Sequence, residues 1–143
     1  MVTPRSTQLN TALGDEVDDA GPEPRAHAAH LVAHHSRLLG VHLNDGYGKR
    51  DDGLTAGSVH PVATVELFAE LHRIGYNGAI YFDTFPDHSG LDPLAEARCN
   101  VQLVERLRQV ADKLKDDADL QRAIARQDAT QSQTIVSTAL FGA

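Results

Sequence analysis

Cysteine is nearly missing from this chain. Cys99 is the single one in 143 residues, so no internal disulfide can form and no cysteine-based zinc site is possible. Basic residues are also in deficit: 13 Lys and Arg stand against 20 Asp and Glu, a formal net charge of -7. Binding a phosphate backbone needs the opposite balance, which argues against nucleic acid as a partner. Long apolar runs are absent too. None approaches the roughly 18 residues of a membrane-spanning helix, and the N-terminal MVTPRSTQLNTALGDEVDD holds no continuous apolar signal core. No membrane partner is expected, and a reducing, cytoplasmic setting fits these absences. The length suits one domain with a moderate core.

Residues 1–25 carry Pro, Gly, Thr, Ser and an acidic cluster (Asp15, Glu16, Asp18, Asp19) with little apolar periodicity, and are expected to form a disordered leader that supplies no strand. From Ala26 to Leu38 the residues Ala29, Val32, Ala33 and Leu38 can share one helical face, with Gly40 as a stop. A short strand, Leu39 to Leu43, should follow. Asp45 to Ser58, with four glycines, reads as a long loop able to approach a ligand closely. Pro61 then suits a first helical position, and Val65, Leu67, Phe68, Leu71 and Ile74 repeat at helical spacing up to Gly75. Gly78 to Phe82 is a second apolar strand of the kind covered on both faces.

Asp92 and Pro93 make a cap and first-turn pair for a last long helix, whose buried stripe is predicted to be Leu94, Ala97, Val101, Val104, Leu107, Ala111 and Leu114. Residues 117–143 are expected to be a helical extension ending in a flexible tail. The order of helix, strand and loop is that of βα repeats, which build parallel sheets. Ligand sites in such folds lie at the C-terminal ends of strands. His42, the Asp51-Asp52 loop and Asp83 would then share one rim, where an imidazole and several carboxylates suit a hard divalent cation.

Each of these residues also has a plainer role open to it. His42 could be a hydrogen-bonded structural histidine, Asp51 and Asp52 solvated turn residues, and Asp83 a turn cap. Among other candidates, His30 and His34 have the i,i+4 spacing of a zinc helix, but there is no HExxH glutamate and no evident third ligand, so a solvated or partly packed face for His27, His30, His34 and His35 is preferred. Cys99 is read as a small core residue. Gly46-Tyr47-Gly48-Lys49 lacks the spacing of a phosphate loop, which leaves Lys49 and Arg50 as rim residues.

The run His42-Leu43-Asn44-Asp45, the stretch Asp51-Asp52-Gly53-Leu54-Thr55-Ala56-Gly57-Ser58 and the strand end Tyr81-Phe82-Asp83 resemble the C-terminal part of the L-rhamnose isomerase and xylose isomerase-like sugar isomerases. The resemblance covers roughly Ala26 to Leu107. It implies an α/β fold, a partial (β/α)8 barrel of about two βα units over residues 26–116 with a long C-terminal helix. It also implies a divalent metal cofactor, Mn2+ in the first place, and aldose–ketose isomerisation of a monosaccharide. By resemblance His42 and Asp83 bind one metal, and Asp51 or Asp52 the second.

Two departures from the family pattern bear on activity. The rhamnose isomerase pattern has three consecutive acids before the leucine, the first and third being ligands, whereas this chain has Gly53 in the third place. A whole barrel takes about 250 residues. The family's bridging glutamate, a further Asp and His ligand and the groups that act on substrate protons come from earlier strands. The chain is therefore expected to carry part of an active site and to be inactive alone, until self-association or a partner completes the barrel. The alternatives are a non-catalytic barrel fragment or interaction module, and an epimerase of the same barrel superfamily. No catalytic residue beyond the ligands is assigned.

Overall fold

The computed structural model describes residues 6–10, 25–47, 51–85, 90 and 92–142. Among these residues lie three strands and five helices, in the order β1 (Ser6–Asn10), α1 (Arg25–His35), β2 (Arg37–Leu43), α2 (Pro61–Arg73), β3 (Ala79–Phe82), α3 (Pro93–Leu114), α4 (Ala118–Ala125) and α5 (Ala129–Phe141). The strands form one parallel sheet in the order β1-β2-β3. The fold is thus mixed α/β, and each parallel pair is bridged by a helix, as parallel connection demands.

β1 corrects the expectation of a leader without a strand. Ser6–Asn10 pairs with Arg37–His42. STQLN has neither apolar alternation nor β-branched enrichment; its place is a matter of backbone pairing to β2, which local sequence does not encode. The same pairing moves the boundary between α1 and β2. The helix stops at His35, and Leu38 is drawn into the ladder opposite Thr7. The ladder then skips Leu39, since Thr7 pairs with Leu38 and Gln8 with Gly40. One extra residue reverses the in-and-out alternation. Leu38 therefore packs on the core, and Leu39 is exposed. Gly40 is not a helix stop. It lies within the strand, where an added Cβ would stand 3.4 Å from the ring of Tyr81.

The core joins Val41 and Leu43 of β2 to Ala29 of α1, Leu67, Phe68 and Leu71 of α2, and Val104, Leu107 and Ala111 of α3; Ile80 and Phe82 of β3 pack against it. Helix α2 sits between α1 and α3. Its end follows from Gly75, whose φ of +66° lets Gly75 N–H donate to His72 O and Tyr76 N–H to Leu71 O, a closure that places glycine just past the last turn. Right-handed crossovers between strands in sequential order put their helices on one side of the sheet. The residues that alternate with the core, Gly40, His42, Ala79 and Tyr81, face the other side, where Ala79 and Tyr81 are exposed. The described residues therefore cover β3 on one face, not on both.

Helix α3 begins as expected, with the Asp92 carboxylate accepting from Leu94 N–H at 3.0 Å and Pro93 in the first turn. Only the C-terminal part of its stripe is buried. Val104, Leu107, Ala111 and Leu114 pack inward, whereas Leu94, Ala97 and Val101 are exposed and the buried position in that half is Asn100. Cys99 is exposed as well, not a core residue. The tail expectation also changes: α4 and α5 carry the helical pattern to Phe141, each started by an aspartate, Asp117 accepting from Leu120 N–H and Asp128 from Gln131 N–H. Ile135, Val136, Ala139 and Leu140 of α5 pack against the core. No described helix is long and apolar enough to cross a membrane.

Candidate metal centre

The parallel register sets His42 beside Tyr81, so both strands finish together and Asp83 follows directly on β3. Asp83 N–H continues the ladder by donating to Leu43 O at 3.1 Å. His42 Nδ1 and Asp83 Oδ2 then lie 3.8 Å apart, each side chain a little over a third exposed, on the face of the sheet opposite the described helices. The Tyr81 ring tilts against His42 with centroids 5.2 Å apart. Two donors on one octahedral cation, each about 2.1 Å from it, sit about 3 Å apart, so a shift of about 1 Å brings this pair to a shared ion.

The loop beyond β2 is fastened by Asp45. Its backbone forms an isolated antiparallel bridge with Leu54. Its carboxylate accepts from Arg25 Nη2 at 2.7 Å, Gly46 N–H at 3.0 Å, Val59 N–H at 2.9 Å and His60 N–H at 2.8 Å, and His60 Nδ1 lies 2.9 Å away. Arg25 Nη1 also donates to Thr64 Oγ1. Burial by itself would raise the Asp45 pKa, but the bonds from His60, Arg25 and Val59 outweigh it and hold the group down at about 2. All of these partners are structural, so Asp45 is the clasp of the loop and not a free ligand. Sequence reading passed over this role, since neither Arg25 nor His60 stands near Asp45 in the chain.

Asn44, equally absent from the sequence-based candidates, joins two of them. Its side chain is almost wholly buried, and Nδ2 donates both to Asp51 Oδ1 at 2.8 Å and to the backbone carbonyl of Asp83 at 2.9 Å. Asp51 is thereby brought to the His42–Asp83 edge, with Gly53 N–H adding a longer bond to the same Oδ1 at 3.3 Å. Asp52 is turned elsewhere: its Oδ2 accepts from Tyr47 N–H at 2.8 Å and packs on Gly46. Gly53 has φ +58°, and an added Cβ would stand 2.2 Å from the ring of Phe85, a residue whose backbone N–H donates to Gly53 O. A side chain there would have to displace that ring. Lys49 and Arg50 lie outside the described residues.

The other clusters do not join this site. His30 on α1 is engaged by α2, with Glu70 Oε1 3.1 Å from its Nδ1 and Arg73 beside it, while its ring stacks with His27 and His34. Hydrogen bonds from Arg73 keep the Glu70 carboxyl below its ordinary range. An apolar groove of about 780 Å3 runs between α2, α4 and α5, lined by Val62, Val65, Leu120, Ile124 and Val136 among others, and shares no residue with the His42 edge. Among the described residues no group of three or more His, Cys, Asp or Glu converges on one metal position. The arrangement is thus a strand-end pair, His42 and Asp83, with Asp51 linked to it through Asn44. No known family model matches the chain, and no curated protein matches it in sequence.

Proposed function

We propose that this chain forms part of a metal-dependent aldose–ketose isomerase of the (β/α)8 type, supplying His42 and Asp83 to one divalent cation, Mn2+ in the first place, and Asp51 or Asp52 to a second. The observation that carries this reading is the one-sided parallel sheet in sequential order, with His42, Tyr81 and Asp83 on its bare face at the strand ends. In a barrel the bare face would be the interior and the strand ends the catalytic rim. The donor set fits a hard cation: an imidazole, carboxylates, and a buried amide oxygen, Asn44 Oδ1, with no hydrogen-bond partner.

Bound there, a divalent ion would polarise the carbonyl and adjacent hydroxyl of a monosaccharide. His42, Asp83 and the loop carboxylate would hold it in place, and Tyr81 would offer an apolar wall. Three strands are three of the eight that a barrel needs, so turnover would require the remaining strands from a partner or from further chain.

The test is calorimetric titration of the full chain with Mn2+. Binding tighter than millimolar, weakened by about tenfold or more in His42→Ala and in Asp83→Ala, is expected. No binding below the millimolar range, with both variants behaving like the parent, would leave the non-catalytic module as the better reading.

A further inference from the structure

Two exposed surfaces of this chain complement each other. The first is the groove between α2, α4 and α5, about 780 Å3 in volume, with Val62, Val65, Leu120, Ile124 and Val136 in its walls. Ile124 is 55% exposed there. The α5 wall is neutral, since no charged side chain occurs from Ala129 to Ala143. Of the basic groups in the lining, Arg73 is held by Glu70, and His72 and Lys115 both reach Asp112. Glu66 and Asp116 are exposed and have no hydrogen bond or ion pair among the described residues. The groove therefore offers apolar walls and uncompensated negative charge, which suits an apolar helix face that carries a cation.

Helix α3 has such a face. Leu94, Ala97 and Val101 stand at i, i+3 and i+7 on its N-terminal half and are exposed, Leu94 by 65% and Val101 by 56%. Arg98, four residues after Leu94 and three before Val101, borders this stripe. It too is exposed and has no hydrogen bond or ion pair among the described residues. Leu94 to Val101 makes about two turns, about 10 Å long and about 10–12 Å across, or roughly 800–1,100 Å3. One side of that segment fits a groove of about 780 Å3. The stripe cannot enter the groove of its own chain, because Leu114 and Lys115 of the lining end the same straight helix.

We infer that the groove of one copy receives the α3 stripe of a second copy, with Arg98 set against Glu66 and Asp116. The two surfaces differ, so the contact is heterologous: each copy uses its stripe on one neighbour and its groove on another, and association runs head to tail unless a ring closes. This contact goes beyond the metal reading and does not involve the strand ends.

Sedimentation velocity of the full chain tests it, in a Tyr81→Lys background that disables the sheet face opposite the helices. Val101→Glu spoils the stripe and Ile124→Glu the groove, both at exposed positions where the fold is retained, as circular dichroism checks. The background chain is expected to associate with rising concentration, Gln102→Glu to behave like it, and each of the two variants to stay monomeric. Their equimolar mixture should form a one-to-one dimer and stop there, because the Ile124→Glu chain keeps a stripe and the Val101→Glu chain keeps a groove. Arg98→Glu added to the Ile124→Glu chain should weaken that dimer by about tenfold or more, and Glu66→Arg with Asp116→Arg on the Val101→Glu chain should restore it. A monomeric background chain, a mixture that stays monomeric, a single variant that still associates, or Gln102→Glu that does not, would overturn the contact. An Arg98→Glu mixture as tight as the original would overturn the pairing of Arg98 with the acids of the groove.

Discussion

At the scale of single residues, the buried pair Arg25–Asp45 matters most for the integrity of the site. Both side chains are within a few per cent of fully buried and 2.7 Å apart, and Asp45 also gathers three backbone N–H groups from Gly46, Val59 and His60. A buried pair costs desolvation on both sides, so its presence is weak evidence for net stability, but breaking it strands a charge. Asp45→Asn, which leaves Arg25 unpaired, is expected to destabilise the chain by about 3–5 kcal/mol in urea unfolding.

Acid should reach the same group. The folded pKa of Asp45 lies below its ordinary value, so its contribution is complete above the unfolded pKa and lost as pH falls through the folded one. With values of 3.8 and about 2, that window runs from roughly pH 4 down to pH 2. The loss is about 2 kcal/mol, measurable as a fall in the urea midpoint across that range that Asp45→Asn should not share.

At the scale of elements, the described parts of the loop between β2 and α2 are held at several points. Asp45 bridges Leu54, Asn100 Oδ1 of α3 accepts from Ala56 N–H at 2.9 Å, and Gly57, at φ +78°, lies under Leu107 with room for no side chain. Gly53 couples the loop to the exit of β3 through Phe85. Gly53→Asp, which would set a third acid directly after Asp51 and Asp52, is therefore expected to lose stability, not gain metal affinity. The left-handed backbone costs about 1–2 kcal/mol for a residue with a Cβ, and displacing Phe85 adds to it. Thermal melting should fall by several degrees, and Mn2+ affinity should not exceed that of the parent.

At the scale of the whole molecule, the described residues place helices on one side of the sheet and none on the other. Leu39, Tyr81 and Phe85 are each roughly half exposed, and Leu94 and Val101 of α3 more so. An uncovered sheet face and open strand edges favour association. In sedimentation velocity the chain should associate with rising concentration, and Tyr81→Lys should weaken that association by about tenfold or more, as expected from removing one buried aromatic contact. A parent that stays monomeric across the concentration range would show that this face is not an association surface.

The sequence alone determined those features that are local in the chain. Apolar spacing marked α2, Asp92-Pro93 marked the start of α3, Gly75 marked the end of α2, and the two apolar runs marked β2 and β3 to within two residues at each end. It also brought forward His42 and Asp83, because both stand at ends of strands that can be read from their neighbours. What only the tertiary structure decided depends on partners far along the chain. Ser6–Asn10 is a strand by virtue of β2; the N-terminal half of α3 turns Asn100 inward to the loop and leaves Leu94 and Val101 exposed; Asp45 is a clasp because Arg25 and His60 meet it. Which of Asp51 and Asp52 meets Asn44 is of the same kind. Two adjacent carboxylates are indistinguishable in a sequence, and the difference arises only when Asn44, buried between two strand ends, has a hydrogen bond for one of them.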